Sequence, residues 1–394
     1  MTQRGDKLVF PSLTREAELA AGRKRKKGYA VPVLTGVGPM NRKAVRHAQN
    51  TIPSGRLIPA PSASSVLSGL EQNTLLERIS VGRETQIDYE RRLERLYTFL
   101  AENGLNGTSA AEFDTYLVAY MNECFQDLQA ADIGSKTLAA FAWKHPEFSR
   151  HGHESLPRAR QALIGWLKGI PPAQREPMTW LEVCGVAAEM VRNESWAFGV
   201  ALLLMWDLYL RPAELFTMRV KDASPPMPEG GRSTCHWSFR IRPFEAGMPA
   251  KTGSFDDTAV LDHPARGFLG PLVAELRRHR SPTAPLIPKI DAQSFNRAFH
   301  LAVGKLGLSL VPYQARHGGP SHDRAENFRS LAEVRKRGRW LHENSTRRYE
   351  KHGVLQSRLA NMDAKLRAHL ALVASQIDRI MNLEVKAPRF KFAG

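Results

Sequence analysis

Apolar residues recur every three or four positions from Thr74 onward, which is the spacing of an amphipathic helix. One such run ends at Ser80, and a longer one ends at Asn103 and Gly104, a pair that favours helix termination. Further helical patterns cover residues 110–128, 135–141 and 157–167. Together they predict a compact all-α module over residues 71–172, which ends in a cluster of prolines.

A second series of helical patterns follows that cluster. Thr179 with Glu182 three residues later has the form of a helix N-cap with an acid in the first turn, so it predicts a helix over residues 180–192. The next stretch, residues 196–210, is apolar almost all round, and we expect it to be the buried centre of a second domain. Pro212 then suits the first turn of another helix.

Two short stretches in this second domain have the pattern of strands. In residues 237–241 and 258–261, apolar residues alternate with polar ones or cluster as they do in strands. A Gly- and Lys-rich turn, residues 246–255, joins the two stretches. Helical patterns resume at residues 268–278, at 292–305 and from Gly318 onward. The domain, residues 178–352, is therefore predicted to be mostly helical with a small antiparallel sheet. The fold class is mainly α within an α+β architecture.

The two ends of the chain differ from these domains. Residues 1–70 are rich in Gly, Pro, Ser and basic residues, which predicts a disordered arm. Its densest basic cluster is Arg23, Lys24, Arg25, Lys26 and Lys27. That cluster is a nuclear address, an arm that grasps DNA, or a solvated tail. We expect a nuclear protein, or a cytoplasmic one if the source is bacterial.

The C-terminal segment, residues 353–394, carries an apolar stripe at helical spacing from Leu355 to Ile380. Such a stripe needs a surface that buries it. Its own domain or a neighbouring protomer can supply that surface.

The charge of the chain points to an anionic partner. The formal net charge is +17 and the pI is near 10.0, which makes nucleic acid the first expectation. The three cysteines are far apart without a CxxC pair, so neither a disulfide framework nor a thiolate zinc site is indicated. No apolar run has the length of a membrane helix, and the first residues lack the apolar core of a secretory signal. We therefore expect an intracellular protein without a membrane partner.

Four scattered side chains share the property of donating hydrogen bonds without accepting any. They are Arg211, Lys251, Arg316 and Trp340. Gathered around a phenol, such as that of Tyr349, they would surround a phosphodiester. This combination predicts chemistry on a nucleic-acid backbone.

The spacing of these residues resembles the tyrosine recombinase family. Arg211 is followed three residues later by Glu214, and in the second half Arg316-His317 is followed by Trp340 after 24 residues and by Tyr349 after nine more. Lys251 lies in the turn between the two predicted strands, where the family has its hairpin lysine. The resemblance covers residues 75–352 and is strongest from residue 178.

The resemblance implies a role for each of these residues. Tyr349 would attack phosphorus and form a 3′-phosphotyrosine intermediate, while Arg211 and Arg316 would clamp the phosphate. Trp340 would donate its indole N–H to that phosphate, and Lys251 would protonate the leaving 5′ oxygen. Glu214 and His317 would support this shell, and Arg347 and Arg348 would contact DNA. No cofactor and no metal are implied, and the sequence has neither a phosphate-binding loop nor an HExxH pair.

One position departs from the family pattern. Three residues before Arg316, where family members commonly have a histidine or lysine, this chain has Tyr313. A neutral phenol is a poor proton acceptor. Either the site works without that base, or His317 or His342 replaces it, or the activity is weak.

These features predict a site-specific DNA recombinase or integrase, of a mobile element or derived from one, with double-stranded DNA as its partner. Exchange of both strands in two duplexes needs four protomers, so this function predicts a homo-tetramer on DNA with the C-terminal helix as the contact between protomers. Three alternatives stay open: a DNA-binding protein of the same fold that has lost its chemistry, a type IB topoisomerase, and a basic RNA-binding protein. A covalent adduct that requires Tyr349, relaxation of supercoiled plasmid by a monomer, and gel shifts with DNA and RNA discriminate among them.

Overall fold

The computed structural model describes residue 77 and residues 80–171, 176–247, 255–350 and 352–390. Several sequence predictions lie wholly or mostly outside this part of the chain. They are the arm over residues 1–70 with its basic cluster from Arg23 to Lys27, the helical run that ends at Ser80, and the turn over residues 246–255 with Lys251. The described residues are mainly helical with a small antiparallel sheet, so the predicted fold class is confirmed. Their buried apolar residues form two large separate clusters, one within residues 93–166 and one within residues 178–381.

The first cluster is formed by a helical module. Its α-helices are α1 (Arg83–Glu102), α2 (Ala110–Gln126), α3 (Asp132–Lys144) and α4 (Pro157–Gly169). The bounds agree with the sequence patterns to within a few residues, and Asn103 and Gly104 end α1 as expected. The domain limits at 71 and 172 stay a prediction.

A buried carboxylate connects two helices of this module. Asp114, 4% exposed on α2, accepts hydrogen bonds from the backbone N–H groups of Arg158 (3.0 Å) and Ala159 (2.8 Å) at the start of α4. The first N–H groups of a helix have no partner within it, so this carboxylate caps α4 from a distant part of the chain.

The second cluster contains the remaining elements. Its helices are α5 (Trp180–Arg192), α6 (Trp196–Asp207), α7 (Pro212–Thr217), α8 (Leu269–Arg277), α9 (Ala292–Lys305), α10 (Tyr313–Ala325), α11 (Leu331–Gly338), α12 (His352–Ala360), α13 (Ala364–Ser375) and α14 (Ile377–Met381). The predicted N-cap of α5 is present: the Thr179 backbone N–H donates to Glu182 at 2.8 Å, and the Glu182 N–H donates to the Thr179 hydroxyl at 3.2 Å. Helix α6 is buried along most of its length and forms the centre of the cluster, as its all-apolar sequence predicted.

The sheet has three antiparallel strands in the order β1 (Ala223–Ser224), β2 (Trp237–Ile241) and β3 (Asp257–Leu261). Strands β2 and β3 are the predicted pair, with Phe239 opposite Ala259. Strand β1 has two residues, too few to give a period-two signal, and the sequence patterns missed it.

Helix α10 begins at Tyr313, five residues before its predicted start at Gly318, so that prediction was wrong. Gly318, Gly319 and Pro320 are residues of low helix propensity, yet all three are buried within the helix. A Cβ on Gly319 would clash with the Trp206 backbone oxygen and lie 2.8 Å from the Tyr209 ring. The glycines therefore serve the close approach of α10 to α6.

The C-terminal segment forms three helices, α12 to α14, where the continuous apolar stripe suggested one. Leu370 and Ile380 are fully buried in the second cluster, and the indole N–H of Trp196 donates to the Met381 carbonyl at 2.6 Å. The stripe packs on its own domain, the first of the two predicted alternatives. The tetramer held by this segment stays a prediction.

Every helix in the described ranges is too short or too polar to cross a lipid bilayer.

Candidate active site

The C-terminal end of α6 and the two residues that follow it collect three arginines. The last carbonyl groups of a helix lack partners within it and carry the negative end of the helix dipole. The Tyr209 carbonyl accepts hydrogen bonds from Arg316 Nη1 and from Arg339 Nη2, the latter at 3.0 Å. The Asp207 carbonyl accepts from Arg337 Nε at 3.2 Å. Residues from α10 and α11 therefore meet immediately before Arg211, which begins the turn into α7.

Glu214 connects these arginines through a single carboxylate. Its Oε1 lies 2.6 Å from Arg211 Nη1, and its Oε2 lies 2.8 Å from Arg339 Nη2 and 3.7 Å from Arg316 Nη1. Oε2 also accepts the backbone N–H of Arg211 at 2.8 Å. Burial by itself would raise the pKa of Glu214, but Arg339 and then Arg316 outweigh it, so the pKa is lowered. Glu214 is therefore ionised at neutral pH.

The two arginines predicted to clamp a phosphate thus lie next to one carboxylate, Arg211 at Oε1 and Arg316 at Oε2. Arg211 is 15% exposed, whereas Arg316 is fully buried. Burial and then the charge of Arg211 lower the pKa of Arg316 to about 10, which leaves its guanidinium charged at neutral pH. Arg316 Nη2 also donates to the Gly338 carbonyl at 2.7 Å, so α10 and α11 together fix its direction.

The predicted nucleophile lies beside this group. Tyr349, in the short turn Arg347–Glu350, is 2% exposed, and its hydroxyl shares a 2.9 Å hydrogen bond with Nδ1 of His317. The Tyr349 ring centroid lies 4.7 Å from that of Trp340, and the Trp340 ring lies 5.0 Å from the guanidinium carbon of Arg316. The fold therefore brings together Arg211, Glu214, Arg316, His317, Trp340 and Tyr349.

His317 is the histidine that reaches the phenol. Its ring lies 5.0 Å from that of Tyr313, one helical turn earlier on α10, in an edge-on arrangement. His342, the other histidine considered as a replacement base, is exposed at the start of the short turn Glu343–Ser345, which precedes the turn that carries Tyr349. When Nδ1 of His317 carries no proton, the phenol donates to it, which is the geometry of a nucleophile and its base.

Three further residues of the predicted site are placed less fully. Lys251 lies outside the described residues, so its role as the general acid stays a prediction. Arg347 is exposed in the turn that carries Tyr349, and its contact with DNA stays a prediction. The backbone of Arg348 belongs to the same turn.

Sequence reasoning missed Arg339. It is 8% exposed and follows the last residue of α11 with φ of 56°, a left-handed conformation that favours glycine. The only signal for it in the sequence is the density of basic residues from Arg335 to Arg339, which fits a solvated helix end equally well.

The sequence patterns also missed a buried ion-pair network beneath the arginines. Arg266 bridges Asp207 and Asp323, and Asp323 accepts the hydroxyl of Tyr209 at 2.5 Å. Arg329 adds a second cation to Asp323 at 3.0 Å. The network fixes the Tyr209 ring, and the backbone of the same residue supplies the carbonyl that orients Arg316 and Arg339.

Metal-ligating side chains do not cluster at the site. Within the part of the chain that the structure describes, no group of three or more His, Cys, Asp or Glu residues has a geometry that could hold a metal ion.

No protein-family model and no curated protein sequence matches the chain. Among solved structures, the chain is similar to a lambda integrase dimer bound to a COC′ core site, with a TM-score of 0.48 and 15% identity over 81% of this chain and 89% of that chain. It is similar to the XerH site-specific recombinase bound to a palindromic difH substrate in a post-cleavage complex, with a TM-score of 0.47 and 10% identity over 81% and 94% of the two chains. It is also similar to XerA recombinase, with a TM-score of 0.33 and 11% identity over 82% and 98%. The roles assigned below rest on the side chains and their contacts.

Proposed function

We propose that this protein cuts and rejoins duplex DNA through a covalent bond between Tyr349 and phosphorus, as a recombinase or integrase of a mobile element or one derived from it. The observation that carries the proposal is the 2.9 Å contact between the Tyr349 hydroxyl and His317, beside the arginines that share Glu214. A phenol, an acceptor for its proton and fixed cations are the groups that this transesterification needs.

The proposed reaction balances without a cofactor. The Tyr349 oxygen gives its proton to His317 and attacks phosphorus, while the bond from phosphorus to the 5′ oxygen breaks. Lys251 protonates the departing 5′ oxygen, and a 3′-phosphotyrosine remains. Because one phosphodiester replaces another, the energy of the cut strand is conserved and the reverse attack by a 5′ hydroxyl rejoins DNA.

The arginines act on the charge that develops during attack. The non-bridging oxygens gain negative charge in the transition state, and one fixed donor directed at them is typically worth about 10²–10³ in rate. Two of the five N–H groups of Arg316 donate to the Tyr209 and Gly338 carbonyls, so the remaining ones are available to donate to a phosphate. The carbonyl contacts hold the guanidinium in place before DNA arrives.

The exposed fractions of the side chains indicate a closed state. Tyr349 is 2% exposed and Arg316 is fully buried, so a duplex reaches them only if the turn that carries Tyr349 moves. We infer that DNA binding opens this turn. The same observation favours a second candidate function, a DNA-binding protein with this fold that no longer cuts.

A trapping experiment separates the two functions. Nicked duplexes with a randomised core lose a short fragment after cleavage, so the covalent product accumulates and is resolved on a denaturing gel. We expect an adduct with wild type, none with Tyr349→Phe, and a rate about 10²–10⁴ lower with His317→Asn, because the base is lost.

Tyr116→Phe, which removes a phenol hydroxyl in the helical module, is the matched control and should behave as wild type. Digestion of the adduct and mass spectrometry should place the nucleotide on Tyr349. DNA binding by wild type without any adduct would establish the second candidate. An adduct formed by Tyr349→Phe would remove Tyr349 from its role.

A further inference from the structure

Arg339 has a conformation that its side chain does not favour. Its φ of 56° and ψ of 44° lie in the left-handed region, where a Cβ crowds the backbone and where helices commonly end in glycine. Gly338, the residue before it, does not take this position. Nine other non-glycine residues in the described ranges also have a positive φ, among them the exposed His279, so a reason for a functional role has to come from the side chain.

The contacts of Arg339 supply that reason. Nη2 donates to Glu214 Oε2 at 2.8 Å and to the Tyr209 carbonyl at 3.0 Å, and Nη1 donates to the Arg337 carbonyl at 2.9 Å. The side chain is 8% exposed. Its Nε and that of Arg316 are buried and have no acceptor among the residues that the structure describes.

The charges around Glu214 do not cancel. Arg211, Arg316 and Arg339 contribute three positive charges and Glu214 one negative charge, so this cluster carries a net charge of about +2. A phosphodiester carries one negative charge, and it gains more when it is attacked. The buried excess therefore suits a phosphate under attack better than it suits the empty site.

We propose that Arg339 is a positioning residue for the phosphate clamp, an inference that rests on the proposed function. Arg339 occupies Oε2 of Glu214, while Arg316 lies 3.7 Å from that oxygen, beyond hydrogen-bond distance. Without Arg339, Oε2 attracts Arg316, which turns from the phosphate to the carboxylate. Arg339 thus keeps Arg316 available and holds the Glu214 oxygen that also accepts the Arg211 backbone N–H.

Arg339→Gly tests this role because glycine fits the left-handed backbone, so loss of the side chain is not compounded by strain. His279→Gly is the matched control: His279 is exposed and has nearly the same φ, 56°, at the end of α8. We expect adduct formation by Arg339→Gly to fall about 10²-fold in protein that is folded by circular dichroism. Guanidinium chloride at a non-denaturing concentration should restore part of the rate, whereas potassium chloride at equal ionic strength should not.

A second readout does not depend on cleavage. Tungstate is a tetrahedral dianion, and its affinity measured by equilibrium dialysis should fall about tenfold in Arg339→Gly and stay unchanged in His279→Gly. If wild type forms no adduct but this difference in tungstate affinity is found, the proposed function fails and the role of Arg339 stands.

Wild-type values of both adduct rate and tungstate affinity in Arg339→Gly would overturn the inference while leaving the proposed function intact. If Arg339→Gly does not fold, the Arg339→Lys variant tests the positioning role in its place. It keeps the charge but replaces a two-pronged donor with a point charge, so we expect an adduct rate about tenfold lower. An unchanged rate in a folded Arg339→Lys protein would equally refute the role.

Discussion

The close approach of α6 and α10 makes Gly319 a sensitive position for the whole site. A Cβ there would meet the Trp206 carbonyl far inside contact distance and the Tyr209 ring at 2.8 Å. Neither group is the flexible end of a side chain, since one is backbone and the other is an aromatic ring fixed by Asp323. Gly319→Ala therefore forces the two helices apart.

The expected magnitude combines two opposite effects. Overpacking a well-packed interior costs about 1–3 kcal/mol, and a clash with backbone belongs at the upper end of that range. Alanine in place of glycine inside a helix recovers about 1 kcal/mol. We expect a net loss of about 2 kcal/mol, which lowers the thermal midpoint by about 4–8 °C in a domain of this size.

Gly304→Ala is the matched control for this substitution. Gly304 lies near the end of α9, is exposed, and a Cβ there would meet nothing within 4 Å. This variant should be up to about 1 kcal/mol more stable than wild type. Thermal and urea unfolding of both variants measure the difference, which should have opposite signs at the two positions. If Gly319→Ala were as stable as Gly304→Ala, the helix contact that orients Arg316 would not be as described.

Two other predictions concern buried carboxylates. Asp114→Ala should destabilise the helical module by about 1–2 kcal/mol, because it removes the cap of α4. Chemical denaturation followed by far-UV circular dichroism measures this loss. An unchanged transition would mean that the two backbone N–H groups find other partners. Glu214→Gln should cost about 3 kcal/mol at pH 7, because it leaves buried arginines uncompensated. The pKa of Glu214 is lowered in the folded protein, so its contribution is present above its unfolded pKa of about 4.3 and is lost as the pH falls through the folded pKa. The difference between wild type and Glu214→Gln in urea unfolding should therefore shrink below about pH 4, and a constant difference would refute this assignment.

Elements with a local signal could be predicted from the sequence. Helix α5 has its predicted bounds because its capping residues and apolar period lie within one short stretch, and α6 was recognisable as buried because apolar residues surround it. The spacing of Arg211, Arg316, Trp340 and Tyr349 predicted a cluster, and the fold brings these four close to one another or to shared partners.

Long-range packing determines how that cluster is held. The glycines at 318 and 319 have no local explanation until the approach of α6 requires them, and Arg339 looks solvated until Glu214 and the Tyr209 carbonyl surround it. The choice of His317 over His342 as the partner of Tyr349 likewise depends on which helix turn faces the phenol. A helical period is set by neighbours three or four residues apart, whereas the meeting of arginines more than 100 residues apart is set by packing, and no local pattern encodes it.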